Sequence, residues 1–151
     1  MTAASFDFET IKKMTTQSIP FVSRSGIELL EFERGHVKLK IPIAPNKNHI
    51  GTMYAGALFT LAEIPGGALF VSAFDMSKSF PIVADFNIKF VKAATTDVYI
   101  DANITEKEIQ RITEEVTATG KSVYVLETEL KNNADEVVAI ATATYQARAH
   151  R

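Results

Sequence analysis

The chain has no cysteine, which excludes disulfides, thiolate metal sites and a cysteine nucleophile. That absence fits a reducing compartment, and a cytoplasmic protein is expected. Charge excess is also missing: 16 Lys and Arg stand against 18 Asp and Glu, a net charge of −2. This leaves no basic footprint, so nucleic acid is not expected as a partner. His36, His49 and His150 are scattered along the chain, and no metal site is expected from them. Met1–Phe8 shows no basic segment followed by an apolar run, so no secretory signal is expected. Long apolar runs are absent as well, with a single exception.

That exception is Asn48–Phe74, NHIGTMYAGALFTLAEIPGGALFVSAF, in which Glu63 is the one charged side chain between Met53 and Phe74. A run of this kind is either a buried core helix or a membrane span. The span reading fails because a carboxylate would sit at mid-depth, no Lys/Arg cluster flanks the segment, and no second span exists. Pro65-Gly66-Gly67 follows at once, and Pro65 removes the backbone bond to Leu61. The segment is therefore read as a central helix over 53–74 with a sheet wrapped around it. A carboxylate in that position must be paired, neutral or functional.

With 151 residues the chain is long enough for one domain with a sizeable core, expected to span 1–151 with an N-terminal helix or arm over 1–20. Asp7 is placed to cap a helix through about Thr16, with Phe8 and Ile11 on its apolar face, and Pro20 is expected to end it. Ile27–Glu33 reads as a strand with a bulge at Leu29-Leu30. It leads through a turn at Arg34-Gly35-His36 into a second strand with Val37, Leu39, Ile41 and Ile43 on one face. Thr52 is the expected N-cap of the central helix. Asp75–Ser79 is turn-like. Strands follow over Ala84–Phe90 and Val98–Ile104, then Lys121–Lys131 and Glu136–Arg148, the last two joined across Asn132-Asn133-Ala134-Asp135. Glu106–Thr117 carries two signals: helical spacing of Ile109, Ile112 and Val116, against β-branched threonines that disfavour a helix.

The result is an α+β architecture in which an antiparallel sheet of about five to six strands curls around one long helix. Its edges need cover, so a homodimer, or a dimer of dimers, is expected. This layout resembles the hotdog fold. Asn48 and the run Tyr54-Ala55-Gly56-Ala57-Leu58-Phe59-Thr60-Leu61-Ala62-Glu63 are similar to the HGGxxxxLAD/E signature of acyl-CoA thioesterases of the phenylacetate-pathway and 4-hydroxybenzoyl-CoA types. The nearer likeness is to a thioesterase-like hotdog group whose helix begins G-T-M-Y-A-G.

The resemblance implies hydrolysis of an acyl-CoA or acyl-carrier thioester, chemistry that calls for neither metal nor organic cofactor. It makes Glu63 the general base or nucleophile, the Ala55 N–H the donor that polarises the thioester carbonyl, and Asn48 the residue that orients water or substrate. Tyr54, Gly56, Thr52, Phe59 and Gly67 are the expected substrate contacts. Ala55 and Glu63 are eight positions apart, roughly 12 Å along a helix axis, so one helix cannot present both to the same carbonyl. Two antiparallel helices related by a two-fold axis can. Tyr54 stands where the nearest thioesterase motifs have His, and Ala55 replaces the first Gly. These departures motivate an alternative, a hotdog protein that binds an acyl ligand without hydrolysing it. A dimer with no ligand at all explains the buried Glu63 poorly, because an unpaired buried carboxylate is costly.

Overall fold

A computed structural model describes residues 6–151. The chain begins with helix α1 (Phe8–Thr16), where the Asp7 side chain accepts from the Thr10 N–H at 2.7 Å, as expected of an N-cap. Pro20 does not end this helix. It opens a second one, α2 (Pro20–Ser25), because proline at the first helical position gives up a donor that has no acceptor there. Strands β1 (Glu28–Glu33) and β2 (His36–Ile41) form the expected hairpin, with the register shift between Leu29 and Glu31. Ile43 falls outside β2. Pro42 has no N–H to continue the ladder, and the chain turns into a short 3-10 helix at Ala44–Asn46.

The central helix α3 runs Ala55–Ala73, two residues short of the expected start and one short of the expected end. Its N-cap is Tyr54, with no side-chain cap bond. Thr52 is not the cap, since its hydroxyl instead accepts from Asn48 Nδ2 at 2.8 Å. Beyond α3, strand β3 (Ser79–Phe90) starts five residues earlier than the sequence suggested. Pro81 lies inside it, which an edge strand tolerates. Strand β4 (Val98–Asn103) leads to helix α4 (Glu106–Thr119), so the helical signal prevails over the threonines there. Thr105 caps its start and Gly120, at φ 81°, closes its end. Strands β5 (Lys121–Lys131) and β6 (Val137–Ala149) pair along most of their length across the expected turn.

Among the described residues the six strands lie in the order β1-β2-β4-β5-β6-β3, antiparallel at every pairing. The edges are therefore β1 and β3. Burial alternates along the sheet: Val37, Leu39, Ile41, Val98 and Ile100 are essentially inaccessible and face α3. Each such aliphatic side chain contributes about 1.5–3 kcal/mol on burial, and together they hold the helix against the concave face. On β6 the same face is almost all alanine: Ala139, Ala141, Ala143 and Ala147 are buried, and only Tyr145 interrupts them. Small residues let the helix ride close to the strand. Tyr145 is the one large side chain it must then accommodate.

Candidate active site

The segment 48–54 is built around Asn48. Its Oδ1 accepts from the N–H groups of Ile50 (3.0 Å) and Thr52 (3.1 Å), and its Nδ2 donates to Thr52 Oγ1. Met53 N–H donates to the Ala94 carbonyl and Tyr54 N–H to the Asn46 carbonyl, each at 2.8 Å. These bonds fix where α3 begins. Its first two N–H groups, of Ala55 and Gly56, have no acceptor among the described residues. They carry the positive end of the helix dipole. Ala55 also lines a groove of about 370 Å³ with Asn48, Thr52, Leu58 and the segment Phe90–Ala94.

Three of the expected site residues, Asn48, Thr52 and Ala55, thus converge on one groove. Tyr54 is 58% exposed, and its ring lies over Gly56: a Cβ at Gly56 would fall under 3.0 Å from it. Gly56 therefore makes room for the neighbouring tyrosine. Gly67 differs, since nothing lies within 4 Å of where its Cβ would be.

Glu63 does not line the groove. It sits on the one incompletely buried stripe of α3, where Gly56, Phe59, Glu63, Gly67 and Val71 follow at three- and four-residue spacing. Phe59 packs against Phe86 of β3 at 4.5 Å between ring centres. The Glu63 carboxylate has no hydrogen bond or ion pair among the described residues, and burial pushes its pKa up. Asn48 is not a partner for it, because the Asn48 side chain is spent on its own loop. Its neighbour is Tyr145, whose hydroxyl donates to the Glu63 main-chain carbonyl at 2.9 Å. Burial first, then the charge of Glu63 and the nearby Tyr124, push the Tyr145 phenol up.

Sequence reasoning missed Tyr145 and the Phe90–Ala94 wall of the groove. A signal for the first was present: a lone aromatic in an alternating alanine strand. Gly66 stands out in the sequence as a small residue in the helix, and the space it leaves is taken by Tyr145. Tyr124 stacks on Tyr145 with ring centres 5.5 Å apart, and its own hydroxyl is buried without a partner. An unsatisfied hydroxyl is costly, so Tyr124→Phe is expected to stabilise the protein by on the order of 1 kcal/mol, read as a raised Tm. Among the described residues no three His, Asp or Glu side chains gather as metal ligands would.

A six-stranded antiparallel sheet curled around one buried helix defines a hotdog fold, the fold of the thioesterase-like proteins that the chain resembles. The chain belongs to the family described as Domain of unknown function (DUF4442), whose pattern matches residues 8–146. It is 43% identical to a Pseudomonas aeruginosa protein of unknown function described as a probable thioesterase, over 96% of this chain and 97% of that one, with a TM-score of 0.92. Two more distant structures share the fold. One is a mutant thioesterase from Pseudomonas aeruginosa (16% identity, 97% and 96% coverage, TM-score 0.75). The other is a thioesterase from Haemophilus influenzae (15% identity, 95% and 92% coverage, TM-score 0.74). No curated protein matches the chain.

Proposed function

We propose that the protein hydrolyses an acyl thioester carried on coenzyme A or a related pantetheine, in the cytoplasm, at sites shared between two copies of the chain. The observation that carries this reading is Glu63: an unpaired, desolvated carboxylate on the partly open stripe of an otherwise buried helix. Such a group costs stability, and its raised pKa makes it a stronger base than an exposed carboxylate. In the reaction Glu63 takes a proton from water as the water oxygen attacks the thioester carbon. The oxyanion forms against the Ala55 N–H. Collapse breaks the C–S bond, and the leaving thiolate takes the proton back from Glu63, giving a carboxylic acid and a free thiol. Direct attack by the carboxylate, followed by hydrolysis of the anhydride, uses the same groups.

The second copy follows from reach. The roughly 12 Å between Ala55 and Glu63 is bridged if two α3 helices cross antiparallel near Phe59, bringing Glu63 of one level with Ala55 of the other. The exposed side of the fold supports this. Beside the stripe of α3 lies β3, an unpaired edge carrying the exposed Ile82, Val83 and Phe90, and a bare apolar edge calls for cover. Substrate would enter by the groove at Ala55, past Tyr54, Thr52 and Gly56. The acyl chain would run along Phe59 toward the open space at Gly67.

Ala55→Pro tests the shared site. Ala55 is the first residue of the helix, where proline is tolerated, and Tyr54 at φ −59° and ψ 135° already has the conformation a following proline requires. The variant deletes one N–H and keeps the helix, so kcat is expected to fall about 10²- to 10³-fold. Mixed and refolded with Glu63→Gln, it should regain activity, up to roughly a quarter of the parent's, because half the dimers then hold one intact composite site. No recovery on mixing would place both groups in one subunit and overturn the arrangement.

One observation favours the alternative, a protein that binds an acyl thioester without turning it over. The Asn48 carbonyl oxygen, which would orient water, is already engaged by two N–H groups of its own loop. A binding protein would show acyl-CoA raising Tm with no release of thiol, and its affinity would survive Glu63→Gln.

A further inference from the structure

The middle of α3 is a poor place to hold a catalytic group. Pro65 has no N–H, so the Leu61 carbonyl loses its partner in the helix ladder. Gly66 and Gly67 add backbone freedom on the next two positions. Glu63 lies between the orphaned carbonyl and the glycine pair. What braces this turn comes from the sheet. A Cβ on Gly66 would fall under 3.0 Å from Cζ, Cε1 and Oη of Tyr145, so the absence of a side chain there is what lets the tyrosine tip reach the helix backbone. The tip ends on the Glu63 carbonyl at 2.9 Å.

Tyr145 itself has little freedom. It is 2% exposed, lies on β6 between Val83 of β3 and Tyr124 of β5 in register, and stacks on the Tyr124 ring. The β3 bulge falls between Val83 and Asp85, directly beside it.

We propose that Tyr145 is a positioning residue for Glu63. Through the notch left by Gly66, its hydroxyl fixes the main chain of the one helical turn that proline and glycine have loosened, and so fixes where the carboxylate points. This rests on the thioesterase reading for its catalytic consequence, while the bracing of Glu63 stands apart from it.

Tyr145→Phe and Tyr124→Phe, each made alone, test the proposal. Both remove one buried hydroxyl from the same ring stack, and both leave the Gly66 notch filled. In Tyr145→Phe the Glu63 side chain is expected to become mobile, read as a fall in the NMR order parameter of its γ carbon, and kcat on an acyl-CoA is expected to drop on the order of tenfold with KM unchanged. In Tyr124→Phe all three quantities should match the parent. An unchanged Glu63 order parameter in Tyr145→Phe would overturn the proposal whatever the activity. So would an equal loss in both variants, which would mark a general loosening of the stack. If neither the parent nor any variant releases thiol, the thioesterase reading fails, and the order parameter still decides whether Tyr145 braces Glu63.

Discussion

Glu63→Gln is expected to abolish turnover and to make the protein more stable. Removing a general base costs about 10²- to 10⁴-fold in rate, and glutamine keeps the shape of the side chain while losing the proton-accepting oxygen pair. The stability gain follows from the same burial. Burial raises the Glu63 pKa, so the folded protein holds that proton more tightly than the unfolded chain. The contribution of such a group to stability is complete below the unfolded-state pKa and is lost as pH rises through the folded-state value. Glutamine has no proton to lose. Glu63→Gln should therefore exceed the parent in Tm at about pH 8, with the difference shrinking as pH falls below the ordinary glutamate value of 4.5. The same shift places the acid limb of the parent's kcat/KM profile above the ordinary glutamate pKa of 4.5. A Glu63→Gln variant less stable than the parent at the higher pH would mean that the carboxylate has a partner in the assembled protein.

The second large effect belongs to Gly66. Gly66→Ala places a methyl group under 3.0 Å from three atoms of the Tyr145 ring and hydroxyl, and that ring is buried between two strands and cannot step aside. Overpacking of this kind costs about 1–3 kcal/mol, against a helix-propensity gain of up to about 1 kcal/mol for replacing glycine. The clash wins. For a chain of this size each kcal/mol moves Tm by about 2–4 °C, so a clear drop is expected in a thermal melt. Gly67→Ala is the natural comparison, since open space surrounds that position and the propensity gain there is unopposed within one subunit. Equal behaviour of the two variants would contradict the fitted contact between Gly66 and Tyr145.

These predictions also show which parts of the molecule could be read from the chain. Strands β2 and β4 were legible because apolar residues alternate along them, β5 and β6 because a hairpin turn separates them, and α3 because a single charge interrupts a run too long for a strand. Asp7 was legible as a cap because only local geometry is involved. The misreadings have local causes as well. Pro20 is equally at home after a helix and at the first position of the next, and here it starts α2. Thr52 has the right side chain for an N-cap, but Asn48 claims its hydroxyl, and Tyr54 takes the position without a cap bond. Pro81 masked the first half of β3 because the edge position that excuses a proline is a property of the sheet order.

The candidate site divides in the same way. Glu63 could be singled out from the sequence, since a charge in an apolar run needs an explanation. The convergence of Asn48, Thr52 and Ala55 on one groove came from loop residues close in sequence. Its far wall at Phe90–Ala94 and the Tyr145 hydroxyl, 82 positions from Glu63, depend on which strand lies beneath which turn of helix. No periodicity carries that information.

Thiol release measured over short, medium, long and aromatic acyl-CoAs, with parent and Glu63→Gln side by side, decides whether Glu63 drives thioester hydrolysis. The parent is expected to turn over at least one acyl class, and the variant to be slower by at least about 10²-fold. Turnover that survives Glu63→Gln would contradict the mechanism. An absence of thiol release across the panel, with acyl-CoA still raising Tm in both proteins, would replace the enzyme with a binding protein.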